Sequence, residues 1–144
     1  MGFKDLTEPE MHSVLSSQRV IRVAFDDGSE RFIVPMFYAW HEGALFGLTT
    51  PGRKSRMGEA NPRVAFQVDS SAQTGEFEWQ SVSGEGTWEI LRAEADMAFV
   101  PLLQARLADS PPWAVQLLME RFQTLGRLAW RITPTSMSGR AHLQ

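Results

Sequence analysis

The sequence predicts a mainly β protein with flanking helices, built on a small six-stranded antiparallel barrel. Three observations carry that expectation. Short runs such as Ile21/Val23/Phe25, Phe32/Val34/Met36, Val64/Phe66/Val68 and Leu128/Trp130/Ile132 place apolar residues at every second position, the period of a half-buried strand. One longer run, Phe77 to Ile90, contains Gly84 and Gly86 and changes parity near Ser81-Val82, which reads as a bulged, strongly bent strand. Helical spacing is confined to three places: before the first strand, between the third and fourth, and after the fifth.

In chain order, Thr7-Glu8-Pro9-Glu10 is a capping box opening a helix to about Gln18, with Met11, Val14 and Leu15 on one face. Strands from Val20 and from Arg31 to about Phe37 flank the turn Asp26-Asp27-Gly28-Ser29. Pro35 offers no N–H to a neighbour, which makes the second strand an edge or bulged strand. After the turn His41-Glu42-Gly43, Ala44 to Thr49 forms a nearly all-apolar third strand. The fourth strand runs to Asp69, and Ser70 to Gly75 reads as a polar loop. Glu94 to Phe122 reads helical with breaks at Pro101 and Pro111-Pro112; Val115, Leu118, Met119 and Phe122 form an apolar face suited to core or subunit packing. The sixth strand around Trp130 is followed by a polar tail.

The 144 residues suit one domain spanning 1–144, and the composition is that of a soluble globule: 43% hydrophobic, 22% charged, net charge −3. A mildly acidic total argues against nucleic-acid binding. With no cysteine, disulfides and thiolate chemistry are excluded. No membrane-spanning run or signal-like segment is seen, so a cytoplasmic protein is expected.

One stretch points to a ligand. Leu48-Thr49-Thr50 ends a strand, Pro51-Gly52 turns, and Arg53-Lys54-Ser55-Arg56 begins a short helix that Asn61-Pro62 terminates. The first N–H groups of a helix lack intrahelical partners and carry partial positive charge, and three bases with two hydroxyls surround them. A phosphate suits such a place. The other constellations offer little chemistry. His12, His41 and His142 have no metal-ligand spacing, no serine sits in a nucleophile elbow, and Gly84-Glu85-Gly86 lies inside a strand, away from any phosphate-binding turn. Trp79, Phe37 and Trp88 are candidates for stacking on a substrate or, as is commoner, for the core. A catalytic role would therefore rest on a bound cofactor.

Taken in order, Arg31-Phe32-Ile33-Val34-Pro35-Met36, Leu48-Thr49-Thr50, Gly52-Arg53-Lys54 with Asn61-Pro62-Arg63-Val64, and Trp79-Gln80-Ser81-Val82 with Gly86 resemble the pyridoxamine 5′-phosphate oxidase-like family of FMN-binding split barrels. The resemblance implies a homodimer with FMN at the subunit interface. It implies Arg53 and Lys54 on the FMN phosphate with Leu48, Thr49 and Thr50 beside them, and Arg31, Val34, Pro35 and Met36 along the ring and ribityl chain. Gln80, Ser81 and Val82 would approach from the other subunit. Met36 stands where the oxidases carry a lysine, and Ser136 to Gln144 does not match their substrate-binding tail.

The function expected is an FMN-dependent oxidoreductase moving hydride or electron pairs between a reduced nicotinamide and a small acceptor. Two alternatives stand beside it. One is a deazaflavin-dependent reductase, with Arg53, Arg56 and Arg63 lining an exit groove for the longer tail. The other is a non-enzymatic flavin- or haem-binding protein. No metal site is expected.

Overall fold

Every neighbouring pair of strands in the sheet is antiparallel, and the sheet order departs from simple hairpins. The computed structural model describes residues 2–92 and 97–143. The elements are β1 (Gly2–Asp5), α1 (Glu8–Ser17), β2 (Val20–Asp26), β3 (Arg31–Phe37), β4 (Ala39–His41), β5 (Ala44–Thr49), α2 (Arg53–Ala60), β6 (Arg63–Asp69), α3 (Ser71–Thr74), β7 (Trp79–Leu91), α4 (Val100–Arg106), α5 (Pro112–Leu125) and β8 (Leu128–Leu143). They form an eight-stranded sheet of order β3-β2-β6-β7-β8-β5-β4, with β1 added on β8. None of the described helices is long and apolar enough to cross a membrane.

The mainly β class with helices holds, while the strand count rises from six to eight. The supposed polar tail is the second half of β8. There Met137, Gly139 and Ala141 turn inward and Ser136, Ser138 and Arg140 outward, an alternation of small residues that carries little hydrophobic signal. β1 pairs with this half, Gly2 opposite Leu143 and Asp5 opposite Arg140. The bulge lies farther along than the parity change near Ser81-Val82 suggests. The register of β7 and β8 shifts between Glu85 and Gly86, where Pro134 has no N–H for the ladder and Thr135 is the extra residue. The strand itself begins at Trp79, leaving Phe77 exposed outside it.

Of the polar loop Ser70–Gly75, residues 71–74 form α3. The helical reading from Glu94 begins partly on residues 93–96, which lie outside the described residues. The expected break at Pro111-Pro112 is the gap between α4 and α5, and the prolines open the helices that follow, Pro101 in the first turn of α4 and Pro112 as the first residue of α5.

β3 is an edge strand, as Pro35 requires, and its end meets β5 without joining it in a ladder. The Phe37 carbonyl oxygen lies 2.8 Å from where a Cβ on Gly47 would be, so the barrel wall closes by contact there. α1 carries the expected capping box, with Thr7 Oγ1 accepting from the Glu10 N–H at 3.3 Å and Glu10 accepting from the Thr7 N–H at 3.0 Å. Val14 and Leu15 are buried, and the buried Tyr38 hydroxyl donates to the Leu15 carbonyl at 2.6 Å, fastening α1 to the barrel end.

An aromatic pile fills the core. Trp88 stacks on Trp130 with centroids 5.2 Å apart and meets Phe25 edge-on at 5.0 Å. Trp88 is therefore a core residue, 3% exposed. Both indole N–H groups are buried without a hydrogen-bond partner among the described residues, a cost of about 1–3 kcal/mol each that the packing must offset. Two glycines make room for the pile. A Cβ on Gly47 would sit 2.4 Å from Trp130 Cζ2, and one on Gly58 of α2 would sit 2.4 Å from Trp88 Cδ1 and 2.5 Å from its Nε1.

Gly58→Ala is accordingly expected to force α2 away from Trp88 and destabilise the fold by about 1–3 kcal/mol. Urea unfolding of the two proteins measures this, and an unchanged midpoint would refute the tight packing.

Candidate functional site

Gly58 matters because α2 carries the basic stretch. The helix is held at its centre by Met57 and Gly58, both buried, and at its end by Asn61, whose Nδ2 donates to the Asp26 carbonyl at 2.7 Å. The helix begins at Arg53, as expected from the sequence. Ser55 Oγ accepts from the Gly52 N–H at 3.0 Å, and the rest of the first turn keeps its N–H groups outside the intrahelical ladder. This end of α2 opens on a cleft of about 900 Å³ between the ends of β3 and β5 on one side and α4 and α5 on the other.

The cleft gathers half of the residues singled out in the sequence: Pro35 and Met36 from β3, Leu48 and Thr49 from β5, Thr50 from the turn, and Lys54 from α2. Thr49 is buried at its floor, and Phe37 lines the wall, partly exposed. Arg53 turns elsewhere: its guanidinium lies 4.1 Å over the Phe32 ring and 3.3 Å from Glu30. Arg31 pairs with Asp26 at 3.3 Å in the β2–β3 hairpin, and Val34 packs inward on the core. Arg56 and Arg63 pair with Glu30 and Glu85, and neither lines the cleft, so the basic groove expected from Arg53, Arg56 and Arg63 does not assemble there.

Gln80, Ser81 and Val82 lie at the other end of the sheet. Thr49 pairs with Leu128 at the start of β8, whereas Ser81 pairs with Arg140 near its end. The Gln80 carbonyl accepts from the Ser70 N–H and the Gln80 N–H donates to Ser70 Oγ, both at 2.9 Å, Ser81 Oγ accepts from Gln67 at 3.1 Å, and Val82 is fully buried. Within one chain these three do not reach the cleft. Trp79 likewise clusters with Phe3 and His142 at that end.

The opposite wall of the cleft is what the sequence reading missed. No residue of α5 is buried, and Val115, Leu118, Met119 and Phe122 face the cleft within one chain, where core or subunit packing was expected. Arg121 and Arg127 also line it. The helical spacing was visible; the partner of that face was not. Among the described residues no group of three or more His, Asp or Glu side chains gathers as a metal site.

Lys54 is half-buried, and this burial, reinforced by the nearby positive charge of Arg121, pushes its pKa below the ordinary lysine value. The cleft thus holds a destabilised ammonium, apolar walls and a buried hydroxyl. It can neutralise an anionic group and cover a flat apolar one.

The pyridoxamine 5′-phosphate oxidase family matches residues 7–141. The chain belongs to this family. Among solved structures it is similar to a FAD-binding protein from Mesorhizobium loti, with a TM-score of 0.74 and 28% identity over 98% of this chain and 99% of that one. A Corynebacterium glutamicum protein, a candidate pyridoxamine 5′-phosphate oxidase by name, superposes with a TM-score of 0.69 at 25% identity over 99% of this chain and 94% of that one. An uncharacterised protein of Rhizobium meliloti is 27% identical over 93 residues; the match spans 65% of this chain and 60% of that relative's length. The split-barrel fold of the family is the fold seen here.

The burial of Lys54 would make the binding of an anion here pH-dependent. Because its folded-state pKa is lowered, the folded chain holds fewer protons than the unfolded one between that value and about 10.5. The cost of burying its charge is fully present at lower pH and fades as pH rises through that window. A phosphate-bearing ligand favours the ammonium. Binding in that window is therefore expected to take up protons and to weaken as pH rises. Calorimetry in two buffers of different ionisation enthalpy measures the uptake, and Lys54→Arg should abolish it.

Proposed function

We propose that this chain is a flavin-dependent oxidoreductase that passes hydride or electron pairs from a reduced nicotinamide to a small acceptor. The observation that carries the reading is the cleft at the start of α2: Lys54, unpaired with any carboxylate among the described residues, beside Thr49, Thr50 and the apolar edge of β3. These groups fit a flavin bearing a 5′-phosphate, as FMN does. The phosphate would lie against Lys54 and the first turn of α2, with the threonine hydroxyls as donors. Pro35, Met36 and Leu48 would cover the ring and ribityl chain and exclude water from one face.

The FAD-binding relative, 28% identical over nearly the whole chain, supports a flavin. When bound, the flavin supplies the electron-transfer chemistry, since the side chains of the cleft include no nucleophile paired with a base. The chain's own part is to bind, orient and shield it.

A homodimer belongs to the proposal. Gln80, Ser81 and Val82 are remote from the cleft within one chain and would approach the flavin only across a two-fold axis. The outer sheet face between the two places is shaped for close approach: Ala24, Ala65, Ser83, Ser136 and Ser138 line a shallow groove with Ile33, which is 70% exposed. Small residues let two sheets come near each other, and an exposed isoleucine gains by being covered.

The test begins with the absorbance spectrum of the purified protein and its change on adding NADH or NADPH without oxygen. A flavin spectrum that bleaches supports the reading; a protein that retains and binds no flavin refutes it. Lys54→Ala should weaken flavin binding by tens to hundreds of fold, on the order of 2–4 kcal/mol, as followed by quenching of flavin fluorescence.

A further inference from the structure

α4 and α5 wall the same cleft, yet they are held to the barrel in different ways. α4 is rooted. Phe99 at its start is fully buried and stacks on Phe46 of β5 with centroids 5.1 Å apart, and Leu103 one turn on is also buried. Val100 and Leu107 pack against the same cluster. Arg19, at the entry to β2, fastens the end of the helix, donating to the Arg106 carbonyl at 3.5 Å and to Asp109 at 2.5 Å.

α5 has no such root. None of its 14 residues is buried, and none belongs to either hydrophobic cluster or packs against one. Only Ala114, Leu118 and Phe122, four residues apart on one face, are half-buried. Among the described residues its side chains make no hydrogen bond or ion pair with another element; Gln116 to Glu120 runs along the helix itself.

Both ends of the helix are joints. The backbone bonding of α4 continues as far as the Ser110 N–H, which donates to the Leu107 carbonyl at 3.0 Å, and then stops, because Pro111 and Pro112 have no N–H to donate. At the other end Gly126 adopts φ 90°, a conformation open to glycine, and rests on Pro51, whose Cγ is 3.7 Å from the position a Cβ would take. Between the joints lies a helix without an anchor, its apolar side turned to a cleft of about 900 Å³. Segments that bury few apolar contacts are the ones that open at little free-energy cost.

We propose that α5 is a hinged cover over the cleft. It swings on the joints at Pro111-Pro112 and Gly126 to admit the ligand, and it closes when the ligand gives Leu118, Met119 and Phe122 an apolar surface to bury. The cover rests on the flavin reading above for the identity of that ligand and adds to it how the site is entered and sealed.

The experiment follows amide hydrogen exchange along the full-length protein, first without ligand. Amides 116–124 of α5 should exchange together, at least about tenfold faster than those of α1 and α4. The Leu118→Ala/Phe122→Ala variant should quicken α5 further and leave the urea midpoint of the barrel unchanged, as read from the near-ultraviolet circular dichroism of the Trp88–Trp130 stack. Saturating FMN or FAD should slow exchange in α5 by at least about tenfold and leave α1 as it was. Exchange of α5 in step with α4, or a midpoint that falls as it does for a core truncation, makes the helix part of the barrel and overturns the proposal. A flavin that binds without slowing α5 overturns it as well, and so does slow exchange in α5 that quickens on dilution, which assigns the helix to a subunit interface. Failure of the flavin reading has a different signature: neither flavin binds, and exchange in the ligand-free protein then upholds or overturns the hinge by itself.

Discussion

The packing of Gly58 on the Trp88 indole is the constraint on which the site depends. Anything larger than hydrogen at Gly58 would stand 2.4 Å from a ring that is itself wedged between Phe25 and Trp130. Because that pile is rigid, α2 has one place to lie, and its first turn is aimed at the end of the cleft. Gly47 repeats the device on β5 by admitting Trp130, which brings the edge of β3 against β5 where the barrel closes. The buried tryptophans thus shape the cleft from outside it. They fix the two elements, α2 and β5, that carry Lys54 and Thr49.

This rigidity explains how a half-buried lysine is tolerated. A flexible loop would swing Lys54 into water and recover its hydration. A helix anchored by Met57, Gly58 and Asn61 leaves it less freedom, and the positive charge of Arg121 nearby adds to the penalty. The free protein therefore holds electrostatic strain that an anionic group relieves on binding. Arg53 and Arg56, one and four residues from Gly52, escape the strain by pairing with Glu30 on the β2–β3 hairpin. Residues adjacent in sequence thereby take opposite electrostatic roles: among the described residues Lys54 meets no carboxylate in the cleft, while Arg53 and Arg56 share Glu30 outside it.

That division marks the boundary of what the sequence makes legible. The start of α2, the capping box at Thr7, the edge character of β3 and the mainly β class follow from local rules of capping, proline and period two, and all are present. Lys54 with Thr49, Thr50, Pro35, Met36 and Leu48 come together because they stand at the ends of elements whose ends the sequence marks. What was illegible depends on partners distant in the chain. Arg53 is drawn off by Glu30 across a hairpin. The second half of β8 alternates serine with glycine and alanine, so its burial leaves almost no hydropathy contrast. The α5 face has the spacing of a core helix, and only the tertiary structure shows that it overlooks a cleft.

The two walls of the cleft consequently differ in kind. The barrel wall is bonded into ladders and stacked on the aromatic core, so its geometry is set before any ligand arrives. The helical wall is not: α5 has no buried residue, and Trp113, 69% exposed, shows how little of its surface the barrel covers. Its attachment runs through the packed turn at Gly126 and Pro51, the same turn that sets Arg127 beside Thr50. A ligand spanning both walls would bury apolar surface on α5 that the fold alone leaves open, and would neutralise cations contributed from each side. The barrel then defines where a phosphate and ring edge can lie, while the helical wall decides how far a ligand extends beyond them.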